Sequence, residues 1–118
     1  MTARTALGNW GEDLAARHLE GLGLTILDRK WRCRDGEIDV VALDGESLVV
    51  CEVKTRSTEA YGSPLAAVTP MKVRRLRRLA LAWLDCHDTR VSDIRFDVIG
   101  IVVSSGGRPE LEHLRGVA

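Results

Sequence analysis

Residues 36–56, GEIDVVALDGESLVVCEVKTR, carry Asp39, Glu52 and Lys54 in the middle of two apolar runs that read as β-strands joined by a tight turn. Two carboxylates brought within a few ångströms of each other in a half-buried sheet repel one another and lose hydration, which is costly without a compensating cation. Two kinds of cation answer that need. A hard divalent ion such as magnesium or manganese suits carboxylate and water oxygens, and no His or Cys lies close by in sequence to favour zinc. Alternatively Lys54 is itself the cation, and the cluster is a structural ion pair. The residue types alone leave both open.

Side chains alternate along a strand, so Glu52 and Lys54 share a face while Val49, Cys51 and Val53 take the other. With Gly45 and Glu46 as the two-residue loop, Asp44 pairs with Ser47 and Asp39 falls opposite Glu52. With Asp44 and Gly45 as the loop, Asp39 falls opposite Val50, diagonal to Glu52. Both registers put the three charges on one face; an odd loop without a compensating bulge would separate them.

Other elements must hold this hairpin. Over residues 7–22 the positions Leu7, Gly11, Leu14, Ala15, His18 and Leu22 recur at helical spacing, and Gly23 is placed to stop the helix. Residues 24–31 alternate loosely as a first strand ahead of the hairpin. Thr69-Pro70 offers an N-cap followed by proline at the first helical position, and Val73, Leu76, Ala80, Trp83 and Leu84 mark the apolar stripe of a second helix running to about residue 87. Residues 94–103, IRFDVIGIVV, are rich in β-branched side chains and read as a central buried strand. The order is α-β-β-β-α-β, with a short final strand at about residues 111–114.

The 118 residues form a single domain, 45% hydrophobic and 29% charged, large enough to bury a core without a disulfide or structural metal. Seventeen basic and seventeen acidic side chains leave no net charge, so a polyanion would have to be held by a local patch. The only dense basic run is KVRRLRR, residues 72–78. On a helical wheel Arg74, Arg77 and Arg78 project away from the apolar stripe and Arg75 lies at its far flank, whereas Lys72 sits on the stripe's own side and is expected to point toward the sheet. The run is either a solvated helix face or a contact for a nucleic-acid backbone. Cys33, Cys51 and Cys86 form no CxxC pair, and there is neither an apolar signal core nor a run approaching the roughly 18 residues of a membrane span. A cytoplasmic protein with no membrane association is expected.

The hairpin resembles the core of the PD-(D/E)xK nucleases, with Asp39 as the first acid and Glu52-Val53-Lys54 as the ExK element; Ile38 stands where the superfamily name has proline. More widely, GNWGEDLAARHLEGLG, GEIDVVALDG, VVCEVKTR, YGSPLAAVTPMK and IRFDVIGI make nearly all of residues 7–103 similar to the YraN-like family of small bacterial proteins. The chain is also similar to archaeal Holliday-junction resolvases, which place a glutamate on the first helix, the position Glu12 takes here. The resemblance implies a restriction endonuclease-like α/β domain, a mixed central sheet flanked by helices. It further implies a metal-dependent nuclease acting on DNA, with branched or repair intermediates among its substrates. Asp39, Glu52, the Val53 carbonyl and Glu12 would then bind magnesium or manganese, and Lys54 would orient or activate the attacking water. The resolvase likeness suggests a homodimer, since cutting two strands calls for two sites. The alternative is a non-catalytic nucleic-acid-binding or protein-adaptor domain that keeps the nuclease fold.

The remaining candidates carry paired readings. Glu12 is either a metal ligand or an exposed acid near a helix N-terminus. Lys72 is either a snorkelling side chain or a phosphate contact beside the acids. Arg56, Tyr61 and Gly62 belong to a connection longer than the usual about 4 to 6 residues, where substrate contacts collect. Glu37 faces with Asp39 as a further ligand or as an acid at the strand's edge. Asp97 is expected to pair with Arg95 in the buried strand, and His18 to be a satisfied core or boundary histidine.

Overall fold

Thr2 and Thr69 each supply the side-chain oxygen that starts a helix. Thr2 Oγ1 accepts from the Thr5 N–H at 3.2 Å and opens α1, Ala3–Gly21; Thr69 Oγ1 accepts from the Lys72 N–H at 3.2 Å and opens α2, Pro70–Cys86, with Pro70 at the position where a missing N–H costs nothing. At the far end of α1, Gly23 takes φ +95°, the Gly23 N–H bonds the Glu20 carbonyl and the Leu24 N–H bonds the Leu19 carbonyl. Leu19 and Leu24 then meet in the same core cluster. This is the paired closure that glycine permits and β-branched residues resist.

The computed structural model describes residues 2–57, 68–103 and 106–117. Between and after the helices lie five strands: β1 Thr25–Cys33, β2 Gly36–Asp44, β3 Ser47–Arg56, β4 Asp93–Val102 and β5 Glu110–Leu114. They form one mixed sheet in the order β1-β2-β3-β4-β5. β1 to β3 run as an antiparallel meander, β4 lies parallel to β3 after the crossover through α2, and β5 returns antiparallel to β4. The restriction endonuclease-like order expected from the sequence is therefore present, completed by the short fifth strand.

Each face of the sheet is covered by one helix. Ala15 and Leu19 of α1 pack with Val40, Ala42, Val49, Cys51, Ile99 and Ile101; Leu76, Leu79, Ala80 and Trp83 of α2 pack with Val41, Leu48, Val50 and Phe96. β3 and β4 are buried on both faces, which is why their sequences are nearly continuous apolar runs. No helix is long and apolar enough to cross a membrane.

Candidate functional site

The hairpin takes the first of the two registers, Asp44 opposite Ser47 with Gly45 and Glu46 between them, and Gly45 adopts φ +62°. Outward from the turn, backbone pairing of β2 with β3 ends at Val40 and Cys51. At that point the Val53 N–H is taken by Asp39 Oδ2 at 2.8 Å. A side-chain carboxylate thus continues the pairing that the backbone drops.

The three charges do not share one face. Ile38 packs in the α2-side cluster while Val40 packs in the α1-side cluster, so strict alternation breaks at Asp39. The cause lies in β1: Lys30 adopts φ +52°, a conformation costing a non-glycine residue about 1–2 kcal/mol. Pairing of β1 with β2 passes from Arg29 and Val40 to Trp31 and Ile38, skipping the rung between them. Lys30 Nζ is held there by Asn9 Oδ1 on α1. Asp39 consequently turns with Glu37 toward α1, whereas Glu52 and Lys54 remain on the side of α2.

On the α1 side, Asn9 and Glu12 of α1, Glu37 and Asp39 of β2, and Val53 and Thr55 of β3 border an open cleft of about 740 Å³. Gly11 lets the helix lie this close, because a Cβ there would stand 1.9 Å from Thr55 Oγ1. The next residue, Glu12, is only 6% exposed and sits in mid-helix, which removes the reading of an exposed acid at a helix start. Its Oε1 meets Arg29 Nη2 at 3.3 Å, and the same guanidinium nitrogen holds Asp13 at 2.5 Å. Burial raises the Glu12 pKa and the nearby Asp39 charge adds to the shift, outweighing Lys30 and Arg29. Burial also raises the pKa of Asp39; the Val53 N–H opposes the shift, Glu52 and Glu37 reinforce it, and Lys54 opposes it in turn.

On the α2 side, Glu52 Oε1 is held by Lys72 Nζ at 2.8 Å and by Lys54 Nζ at 3.4 Å. Lys72 does point to the sheet, as its place on the wheel predicts, and its partner is the acid of the ExK element. Arg74, Arg75, Arg77 and Arg78 are all exposed along α2. Arg56 borders the cleft at the end of β3; Tyr61 and Gly62 lie outside the described residues. Sequence reasoning missed Asn9 and Thr55 as cleft residues. Both positions were readable, Asn9 three residues before Glu12 on one helix face and Thr55 two after Val53 on one strand face.

The expected pair of Arg95 and Asp97 forms, away from the cleft. Asp97 is fully buried and accepts from Arg95 Nε and Nη2, from the Gly116 N–H and from His113, whose Nε2 lies at 2.8 Å. Burial alone would raise its pKa, but these donors together hold it below the ordinary value. His18 lies 3.2 Å from His113, nitrogen to nitrogen, a satisfied boundary histidine as expected. The partners from the final strand and tail carried no signal near Asp97 in sequence.

Residues 11–101 match the uncharacterised protein family UPF0102. The chain belongs to that family. A UPF0102 protein of Streptomyces coelicolor is 54% identical over 120 residues, covering 100% of this chain and 92% of its own length. One from Frankia casuarinae is 55% identical over 116 residues, with 98% of each chain covered. The UPF0102 match contains Glu12, Asp39, Glu52, Lys54 and Lys72, so both sides of the site fall inside it.

The cleft offers hard oxygen donors in the carboxylates of Glu12 and Asp39. Burial disfavours ionisation of both, with the Asp39 charge adding to the effect on Glu12 and the Glu52 and Glu37 charges adding to that on Asp39, and an added cation would offset these effects. Among the described residues, however, no three His, Cys, Asp or Glu side chains stand close enough together to hold an ion. Glu52, the third acid, is engaged by the two lysines instead.

Proposed function

We propose that this chain is a divalent-metal-dependent phosphodiesterase that acts on nucleic acid, with DNA as the expected substrate. The observation that carries this reading is the meeting of buried Glu12 and half-buried Asp39 in one open cleft, each with a raised pKa. Burying repelling acids at the rim of a sheet costs stability, and such perturbed groups cluster where chemistry is done. The PD-(D/E)xK resemblance supplies the reaction class.

Asp39, Glu12 and the Val53 carbonyl would hold magnesium or manganese, which when bound supplies Lewis-acid polarisation of a phosphodiester oxygen and of water. The Val53 N–H fixes the Asp39 carboxylate, leaving its second oxygen for a ligand. Lys54 keeps an ammonium within electrostatic reach of Asp39, where it would offset charge developing on the phosphate. Arg74, Arg75 and Arg78 face outward on α2 and would bind backbone phosphates.

A second reading, a nucleic-acid-binding or adaptor domain without turnover, is favoured by one observation: Glu52 is already neutralised by Lys72 and Lys54. Cleavage of labelled linear, flapped, branched and single-stranded DNA with magnesium or manganese separates the two. The enzyme reading expects cutting that Asp39→Asn and Glu12→Gln both abolish while remaining folded. Cutting that is absent, or unchanged in both variants, rejects it in favour of the binding reading.

A further inference from the structure

In a regular strand neighbouring side chains point to opposite faces, yet Arg29 and Lys30 of β1 both reach α1. Arg29 Nη2 meets Glu12 and Asp13, and Lys30 Nζ is held by Asn9 Oδ1. The left-handed Lys30 makes this possible, because pairing skips its rung and the alternation starts again beyond it. Trp31 consequently turns into the α2-side core, and Arg32 comes round to the α1 side, where its Nε meets Glu37 Oε2 at 2.5 Å. Three cations among four consecutive residues thus lie on one face. Each touches a residue that borders the cleft: Glu12, Asn9 and Glu37.

Charges on an outermost strand can serve simply to block pairing with a foreign strand. That purpose is met by side chains on either face and gives no reason for a left-handed lysine. Nor are the cations locked to their partners. The Arg32 side chain is 82% exposed, so a competing anion displaces its ion pair with Glu37 readily. Lys30 is also exposed, and its partner is a neutral amide, which leaves its charge uncancelled by that contact.

We infer that Arg29, Lys30 and Arg32 form a cationic rail that takes the phosphates of a nucleic-acid backbone and brings it alongside the cleft. The inference rests on the nucleic-acid reading given above and adds the surface on which the strand lies, without calling on a metal ion. The arginines of α2 belong to the helix that covers the opposite face of the sheet, so a backbone held by them alone would not be drawn to Glu12 and Asp39. With Trp31 turned into the core, the rail offers no ring on which a base could stack. It therefore holds the backbone irrespective of sequence.

The test is filter binding of labelled duplex and single-stranded DNA across a salt series, in chelator. It compares the wild type with Lys30→Asn combined with Arg32→Gln, with Arg32→Gln alone, and with Arg90→Gln combined with Arg108→Gln. Asparagine tolerates the left-handed conformation, so the first variant removes charge and keeps the course of the strand; circular dichroism checks that each variant is folded. Arg90 and Arg108 are exposed in loops, outside the cleft lining, and match the charge removed. The rail predicts that the slope of log affinity against log salt becomes shallower by about 2 in the β1 double variant and by about 1 in Arg32→Gln. Duplexes of unrelated sequence should behave alike, and the loop pair should leave the slope unchanged. Should Lys30→Asn prevent folding, the exposed Arg32→Gln decides alone. A slope unchanged in folded β1 variants, or changed equally by the loop pair, overturns the rail and leaves nucleic-acid binding standing. Neither form of DNA retained by the wild type at low salt overturns both.

Discussion

Because burial raises the carboxyl pKa of Glu12 and of Asp39, each acid binds its proton more tightly in the folded chain than in the unfolded one. The stability this brings is full below their ordinary values of 4.5 and 3.8 and is lost as pH rises through the raised folded values, so at neutral pH both charges work against folding. Asp39→Asn keeps an oxygen for the Val53 N–H and removes the charge. In chelator-treated protein its melting temperature at pH 7 is expected to rise by about 3 °C, with the gain vanishing toward pH 3. A fall at pH 7 would show that the Asp39 charge is already compensated. At this scale the sequence revealed Glu52 with Lys54, because alternation along one strand needs no partner. The facing of Asp39 was hidden, because it depends on the left-handed Lys30 of a neighbouring strand, and no glycine marks that position.

Among the elements, the contact of α1 with β3 sets how near Glu12 comes to the strands, and it rests on a missing side chain. Gly11→Ala improves helix propensity by up to about 1 kcal/mol, yet its methyl would meet Thr55 Oγ1 at 1.9 Å. A net loss of about 1–2 kcal/mol in urea unfolding is expected, partly restored in Gly11→Ala combined with Thr55→Ala, where the hydroxyl is gone. Additive losses in the double variant would place the strain elsewhere. The ends of the helices were legible for a local reason: Thr69-Pro70 and Gly23 act on their own backbone neighbours. The start of α1 was read four residues late, at Leu7 rather than Ala3, because an apolar stripe reports only the turns that pack. The Asp97 cluster, by contrast, joins that acid to residues 16 and 19 positions further on, a distance over which neither periodicity nor capping speaks.

For the molecule as a whole, seventeen charges of each sign cancel, so attraction to a polyanion has to come from how the charges are placed. Arg74, Arg75 and Arg78 lie exposed on the helix that also carries Lys72. Replacing all three with glutamine is expected to weaken DNA binding regardless of sequence and to reduce the slope of log affinity against log salt by about 3. An unchanged slope in filter binding would move the contact to another surface. The last backbone rung of the hairpin has a consequence of a different kind. Cys51 sits on it, opposite Val40, with no exposure and a thiol whose pKa burial pushes well up, while Cys86 is exposed on α2. Thiolates attack alkylating reagents, so Cys86 sets an internal clock for the reagent and Cys51 is modified only as often as α1 lifts from the strands bearing Asp39 and Glu52. The unaltered protein thus contains its own gauge of how long the site stays closed.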